Sequence, residues 1–289
     1  MKAHSYPIGE PPRTIPLSLA VQMYLGGVGT QIGWALLAFG SIFFWTFAWH
    51  ADLSGWRFRD GNVSRVAGEL LNCRPTSYSV GGSDDSSGEP VYANEYHYTV
   101  DGASIGGVSY STGDCAPNPV TIEYVKGRPE YSRIVGMRRD VLSPWAVLVA
   151  LVPGIGLTIA VFGWRSGALR VKLLRDGVPV AGRVTGKIAT RSETMGRKDY
   201  FVTLGFKARD GWEHSVISRT NRPEDLENAV GPTVLYDPDD PKRALPMASL
   251  PGTVSADGSE YFRGAPVVRY LLLPAASAIV NGWFLHRNL

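Results

Sequence analysis

The sequence predicts a membrane protein in which three transmembrane helices anchor two small, duplicated antiparallel β domains of the barrel or sandwich type. The first observation behind this prediction is that no Asp, Glu, Lys or Arg lies between Arg13 and Asp52. The same holds between Asp140 and Arg165. The second observation is that the long loops between the apolar segments alternate apolar and polar residues, as β-strands do. The third is that both loops repeat one order of motifs.

Three segments are long enough to cross a bilayer, whose hydrocarbon core of about 30 Å requires roughly 20 apolar residues of helix. They are residues 28–49, 145–164 and 266–285. The third is the weaker candidate, because Arg269 interrupts its start and Asn281 its end. A buried helix of a soluble core is the alternative for each segment. Residues 1–27 are predicted to be a tail with either an interfacial helix or an extension of the first span.

Small residues recur four positions apart in all three segments, which favours close packing of helix backbones. Ordinary glycine content of membrane helices is the alternative explanation. The pairs are Gly29 and Gly33, Gly156 and Ala160, and Ala278 and Gly282.

Residues 51–140 and 166–264 are each predicted to form one β domain of about five strands. Each has a Val-Ala-Gly entry, then an Asp-Gly pair between alternating runs, which is a strong hairpin signal. A Val-rich strand with a tyrosine and a proline-containing turn follow. The Ala-Gly pairs at 67 and 181 are 114 residues apart, and the tyrosines at 124 and 236 are 112 apart. Such matching offsets predict an internal duplication, with chance agreement as the alternative.

These motifs resemble domain of unknown function 3592, a family of mostly bacterial membrane proteins. The resemblance lies in Ala-Gly-Arg-Val at 181–184, the tyrosine-rich hairpin, and Val-Leu-Tyr-Asp-Pro-Asp-Asp-Pro-Lys-Arg-Ala-Leu at 234–245. The Gly-Gly pair at 26–27, Gln-Ile-Gly-Trp at 31–34, Phe-Gly at 39–40 and Ala-Asp-Leu at 51–53 are also similar. The first domain departs from the pattern, with Glu-Tyr-Val-Lys-Gly-Arg-Pro at 123–129 in place of the second domain's turn. The resemblance implies two copies of this domain and no catalytic residues, because the family has no established activity.

The Asp-rich turn of the second domain allows two interpretations. Asp237, Asp239 and Asp240 are a possible calcium site, but the glycine and the distal glutamate of an EF-hand loop are missing. Two prolines favour a rigid turn instead, so Asp237, Pro238 and Pro241 are predicted to be structural. No metal or cofactor is predicted.

The two cysteines of the chain, Cys73 and Cys115, both lie in the first domain. An oxidising compartment permits a disulfide between them, and two buried thiols are the alternative. Four basic residues follow the second span before any acid, which favours the cytoplasm for the second domain. We therefore predict a multi-pass protein of the plasma or inner membrane. Its N-terminus would be inside, residues 51–140 outside and residues 166–264 cytoplasmic.

Candidate catalytic side chains are few. Glu95 and His97 lie two apart on one predicted strand face, and His214 lies in the second domain. An acid–base pair or metal ligands are possible there, but a hydrogen-bonding surface pair is the preferred interpretation.

Tyr92, Tyr96 and Tyr98 alternate along one predicted strand. They are expected to fill a β core, with an aromatic platform for a partner as the alternative.

The leading functional hypothesis is a non-enzymatic interaction or scaffold protein of the cell envelope. Its predicted partners are membrane lipid and either another protein or a second copy of the chain. The net charge of +3 is too mild to indicate a nucleic-acid partner. The alternatives are a transmembrane signalling or redox sensor that uses the cysteines, and a membrane-bound hydrolase with a dispersed site around Glu95, His97 or His214.

Overall fold

The computed structural model describes residues 10–58, 62–82, 88–194, 196–227, 232–250 and 266–288. The chain divides into two compact units. One holds the described residues of Met1–Ala38 and Ile155–Ile279, and the other those of Phe39–Gly154 and Val280–Leu289.

Three helices are long and apolar enough to cross a membrane, which indicates a membrane protein. They cover Val28–His50, Pro144–Asp176 and Val268–Asn288 when short 3-10 turns are included. The α-helices of the described residues are α1 (Leu17–Leu25), α2 (Val28–Thr46), α3 (Leu151–Asp176), α4 (Pro223–Glu227) and α5 (Val268–Asn288). The 3-10 turns are Ala48–His50, Ser54–Phe58, Pro144–Ala150 and Met247–Ser249.

The helix that contains the second predicted span begins next to the predicted start, at Pro144, and ends well beyond the predicted end. Its first turns are 3-10 helix, and α3 continues well beyond Trp164 to Asp176. The start of the predicted second β domain is therefore helical. Leu173 and Leu174 in this extension are buried, and Leu174 packs with Leu19 of α1. Burial of these side chains stabilises the helical extension. The sequence did not predict this extension, because the segment after Trp164 is no longer continuously apolar.

The first β domain is a single five-stranded antiparallel sheet. The strands are β1 (Val63–Val80), β2 (Glu89–Val100), β3 (Ala103–Thr112), β4 (Val120–Val125) and β5 (Arg128–Ile134), in the order β3-β2-β1-β4-β5. Asp101 and Gly102 have φ of 51° and 80°, as a two-residue hairpin of this twist requires. Tyr96, Tyr98 and Ile122 form the centre of the core.

The predicted barrel does not close within the described part of this domain. The sheet curls until one isolated bridge pairs Tyr110 of β3 with Arg138, beyond the end of β5. Ser109 adds a side-chain contact, because its hydroxyl accepts a hydrogen bond from the Ile134 amide at 2.9 Å. In a closed barrel, a continuous ladder of backbone hydrogen bonds would join these two edges. Here one backbone bridge and one side-chain hydrogen bond join them.

The second β domain consists of two three-stranded sheets. The strands are β6 (Val178–Ala181), β7 (Arg183–Thr194), β8 (Arg197–Lys207), β9 (Glu213–Thr220), β10 (Thr233–Tyr236) and β11 (Ala244–Pro246). The sheet orders are β11-β10-β6 and β7-β8-β9. Val202, Leu204 and Phe206 on one face of β8 pack with Val234 and Tyr236 of β10.

Strand pairing follows the same scheme in both domains. Residues 63–68 of β1 pair with β4, and residues 68–80 pair with β2. In the second domain β6 pairs with β10, and β7 pairs with β8, on the two sides of Gly182. Gly182 lies between the two strands, and its amide extends the pairing of β6 by donating to the Pro232 carbonyl at 2.8 Å, just before β10. β6 and β7 together therefore make the kinds of pairing that β1 makes alone in the first domain.

Candidate functional site

The two cysteines form a disulfide. Cys73 lies on β1 and Cys115 in the loop between β3 and β4, with their Cα atoms 6.0 Å apart. The bond therefore ties the long central strand to the loop that follows the β2–β3 hairpin. It lies in the first domain, where the sequence placed it.

The candidate acid–base residues each contact a different ionic partner. Glu95 pairs with Arg74 at 3.1 Å. The ring of His97 lies 3.8 Å from Glu69. His214 contacts Asp210, 2.8 Å away, at the turn between β8 and β9. The structure therefore places these residues in separate surface pairs.

The tyrosines of β2 divide between core and surface. Tyr96 and Tyr98 are buried, and Tyr92 is half-buried. The hydroxyl of Tyr96 hydrogen-bonds Ser132 at 3.0 Å, and that of Tyr98 donates to the Pro129 carbonyl. Burial raises the pKa of both phenols.

Asp237 forms the Asp-rich turn and also an ion pair that sequence reasoning missed. It is 4% exposed, and its carboxylate accepts from the Asp239 amide at 3.2 Å. Its other oxygen lies 2.6 Å from Nζ of Lys172 on α3, and the hydrogen bond from Lys172 lowers the pKa of Asp237. Pro238 and Pro241 flank this turn. Within the described ranges, no three His, Cys, Asp or Glu side chains are grouped to hold a metal ion.

Close helix packing occurs at Gly33, Gly156 and Ala160. A Cβ atom on Gly156 would stand 2.6 Å from the Leu37 amide and 2.8 Å from the Gly33 carbonyl. A Cβ atom on Gly33 would stand 2.7 Å from the Ala160 amide. The backbones of α2 and α3 therefore approach as closely as glycine allows.

The other predicted small residues lie away from this contact. A Cβ atom on Gly29 or Gly282 would meet nothing within 4 Å, and Ala278 is exposed. Polar residues replace them on α5, where Asn281 accepts from Trp45 Nε1 and donates to the Ser41 hydroxyl, both at 3.0 Å. These bonds orient α5, because an unpaired amide in an apolar environment is costly.

Asp52 joins the end of the first span to the chain that enters the second. It is 5% exposed, and it accepts hydrogen bonds from the Ser54 amide and the Arg139 amide, both at 2.9 Å. Next to it, Ala51 pairs with Leu142 in a parallel bridge. The first β domain is therefore held at both of its connections to the helices by one carboxylate and a short backbone pairing.

The surroundings of this join shift the pKa values of two neighbouring carboxylates, Asp52 and Asp140, in opposite directions. Burial acts to raise the pKa of Asp52, but the hydrogen bonds from Ser54 and Arg139 outweigh it and the pKa is lowered. Burial and the neighbouring charge of Asp52 raise the pKa of Asp140. Asp52 is thus the carboxylate that the surroundings stabilise in its ionised form.

A cleft of about 470 Å³ lies on the same domain, close along the chain to the end of the first span. We call it the basic cleft and define it by five lining residues, Trp56, Arg57, Lys126, Arg128 and Tyr131. The guanidinium of Arg57 lies 5.1 Å from the ring centre of Trp56 and 4.6 Å from that of Tyr131. Such stacking fixes the position of a cation that is otherwise mobile.

Comparison of the chain with protein-family models, with curated proteins and with solved structures gives no match. The resemblance noted from the sequence motifs therefore stays a prediction.

The outer face of the sheet β7-β8-β9 carries three exposed apolar side chains. Ile188, Phe201 and Ile217 are 68%, 45% and 65% exposed. Phe201 stands opposite Ile188 in the ladder, and Ile217 stands opposite Thr203, two residues along β8 from Phe201. The three side chains therefore form one patch, which we call the apolar patch.

A cavity of about 660 Å³ borders the apolar patch and is lined in part by Phe201, Ile217 and Arg219. Arg219 is held there by the buried carboxylate of Asp199 at 2.6 Å. The patch thus adjoins a concave surface with an ordered cation at its border.

Proposed function

We propose that the chain is a non-enzymatic membrane protein of the cell envelope whose β domains bind a protein partner, in an interaction or scaffold role. The observation that carries this proposal is the apolar patch. Contiguous exposed apolar side chains on a folded domain are typical of protein–protein contact sites. The adjoining cavity and the cation of Arg219 supply a polar border, as the rim of such an interface does.

The proposal includes a duplicated architecture and an orientation. The shared pairing scheme and the matching motif offsets support descent of both β domains from one unit, as the resemblance to domain of unknown function 3592 implies. The basic residues after the second span support a cytoplasmic second domain and an N-terminus inside. The disulfide supports an outside location for residues 51–140.

Site-specific photo-crosslinking in native membranes tests the proposed interaction role. A photoreactive residue replaces Ile217 in the full chain, and a second variant carries it at Asp239, an exposed position of the Asp-rich turn. We expect protein adducts from position 217 that are absent from position 239. The same photoreactive residue is also placed at positions 188 and 201. If no position of the patch gives a protein adduct, the proposal of a protein partner at this face is contradicted.

The disulfide favours one second candidate, a transmembrane redox or stress sensor. Reduction would release β1 from the β3–β4 loop in the domain that Asp52 holds against the span ends. This function requires that the bond opens and closes in cells. Thiol trapping during oxidative and reductive stress measures this directly, and a bond that stays oxidised under both conditions excludes the sensor.

A further inference from the structure

We propose that the basic cleft binds the phosphate group of an anionic phospholipid headgroup. This inference does not depend on the protein-binding role proposed above, because it concerns a different domain and a different ligand. Its ligand class follows from the charge, the shape and the chain position of the cleft.

The charge of the cleft is one-sided. Two arginines, Arg57 and Arg128, line it, and none of its described lining residues is an acid. Neighbouring arginines of the same domain differ in this respect, since Arg133 lies 2.6 Å and Arg65 lies 3.9 Å from the carboxylate of Glu123. Within the described residues, no carboxylate lies within 4.0 Å of Arg57 or Arg128. The cleft therefore favours an anion.

The geometry suits a phosphate. Arg57 is stacked with Trp56 and Tyr131, which leaves the N–H edge of its guanidinium for hydrogen bonds. Arginine binds phosphate oxygens in a bidentate manner, and stacking reduces the conformational freedom lost on binding. Lys126 and Arg128 flank Gly127, whose φ of 76° turns the chain sharply between β4 and β5. Cations from two chain segments thus surround one space.

The position along the chain favours a membrane lipid over a soluble phosphate compound. Only five residues separate Trp56 from His50, the last residue of the first candidate span. At about 3.5 Å per residue, that stretch reaches roughly 20 Å at most. Trp49, Leu53 and Trp56 are 52%, 52% and 69% exposed along this stretch. Exposed tryptophans next to a span are typical of the headgroup region, where basic residues bind anionic lipids.

Native mass spectrometry of the full chain from nanodiscs tests the proposal. The discs contain equal amounts of phosphatidylglycerol and phosphatidylcholine, and the retained lipids are counted after release from the disc. The test variant is R57Q/R128Q. The control R65Q/R74Q removes the same charge from the same domain, at arginines that already face Glu123 and Glu95. A second arm adds glycerol 3-phosphate to protein in discs of phosphatidylcholine alone.

We expect wild type and the control to retain phosphatidylglycerol selectively. Loss of two cations from the cleft should lower this selectivity roughly 30-fold, from the attraction that each basic residue contributes near an anionic surface. Selectivity in R57Q/R128Q equal to that of the control would overturn the proposal. Saturable binding of glycerol 3-phosphate without anionic lipid would also overturn it, since the ligand would then be a soluble phosphate compound.

Folding of the variants is checked by their melting temperatures and by retention of the disulfide. If R57Q/R128Q does not fold, R57K/R128K replaces it, because lysine keeps the charge and loses the planar fork. A several-fold loss of selectivity in R57K/R128K then supports a bidentate phosphate site. Selectivity unchanged from wild type contradicts it.

Discussion

At the scale of single residues, Asp52 shows how one buried carboxylate can hold a domain against its membrane anchor. Its oxygens accept from Ser54, just after the first span, and from Arg139, just before the second. These hydrogen bonds stabilise the ionised form against the cost of burial. Asp140 lies close by, and its pKa moves in the opposite direction. Local hydrogen bonds decide which of the two is stabilised when charged.

Replacing Asp52 by Asn should destabilise the first β domain by about 1–3 kcal/mol, because the amide group would face the Arg139 N–H, another donor. Asp140→Asn removes the same charge, and we expect an unchanged or slightly higher melting temperature. Thermal unfolding of both variants at neutral pH measures the difference. Equal destabilisation by the two substitutions would contradict the role given to Asp52.

The same residue predicts how the stability of the domain depends on pH. A lowered pKa means that Asp52 contributes stability above its unfolded value of 3.8, which is lost as pH falls through the folded pKa. We therefore expect the melting temperature of wild type to fall below about pH 4, and that of Asp52→Asn to fall less. Melting curves from pH 7 to pH 3 test this expectation. Parallel pH profiles of the two proteins would show that other groups dominate.

Asn281 has a comparable role in the apolar helices. Its amide bonds both Trp45 and Ser41, which lie one turn apart on α2. Asn281→Leu should weaken the contact of α5 with α2 by about 1 kcal/mol, the usual size for hydrogen bonds between membrane helices. Ile279→Leu is the control, because Ile279 is 70% exposed on the same helix. Disulfide crosslinking yields between cysteines placed on α2 and α5, or unfolding in mild detergent, give the comparison.

At the scale of elements, the close crossing of α2 and α3 depends on glycine residues at the contact. Gly33 and Gly156 face each other, and a Cβ atom on either residue would overlap with the carbonyl oxygen of the other. Thr30 makes a similar contact with Gly163, one further turn along the crossing. Membrane helices gain little from burial of apolar surface against one another, so this close approach must supply van der Waals contact.

Gly156→Val should therefore separate α2 from α3 and destabilise the protein by about 1–3 kcal/mol, as overpacking does elsewhere. Gly29→Val is the matched control, because a Cβ atom there would meet nothing within 4 Å. The measurement is the fraction of folded, monodisperse protein after heating in detergent. Similar losses for both variants would indicate a general intolerance of valine and not a specific crossing.

At the scale of the whole molecule, the disulfide offers a test of the orientation proposed for the chain. Cys73 and Cys115 are separated by 42 residues, and the chain-entropy model assigns about 4 kcal/mol to a bond that closes such a loop. A membrane-impermeant thiol reagent on intact cells should label both cysteines only after reduction. Labelling that requires broken cells would place the first domain inside and contradict the proposed orientation.

Removal of the bond by C73S/C115S should lower the stability of the first β domain by about 2–4 kcal/mol. Reduced wild type provides the comparison, since it should melt together with the double variant. Added reductant should leave the variant itself unchanged. A shift of the variant by reductant would show an effect unrelated to this bond.

Features that depend on short stretches of chain could be predicted from the sequence. Spans follow from runs of uncharged residues, and the Asp101-Gly102 hairpin follows from two residues that tolerate positive φ. The division of this strand at Gly182 could not be predicted in this way, because β6 pairs with β10, which is distant along the chain, whereas β7 pairs with its neighbour β8. Asn281 weakened the prediction of the third span because its hydrogen-bond partners, Trp45 and Ser41, lie on another helix and could not be identified from the sequence.

The amino-acid sequence alone was enough to locate the three helices that are long and apolar enough to cross a membrane, the two β-rich regions between them and the cysteines. Hydrophobic length, strand periodicity and turn chemistry are local properties of the chain. The Asp52 join, the Lys172–Asp237 pair and the basic cleft became visible only in the folded chain. Each of these places a charged side chain beside groups that are far from it in sequence. Whether such a charge is paired or open to a ligand depends on burial and on partners that only the tertiary structure supplies.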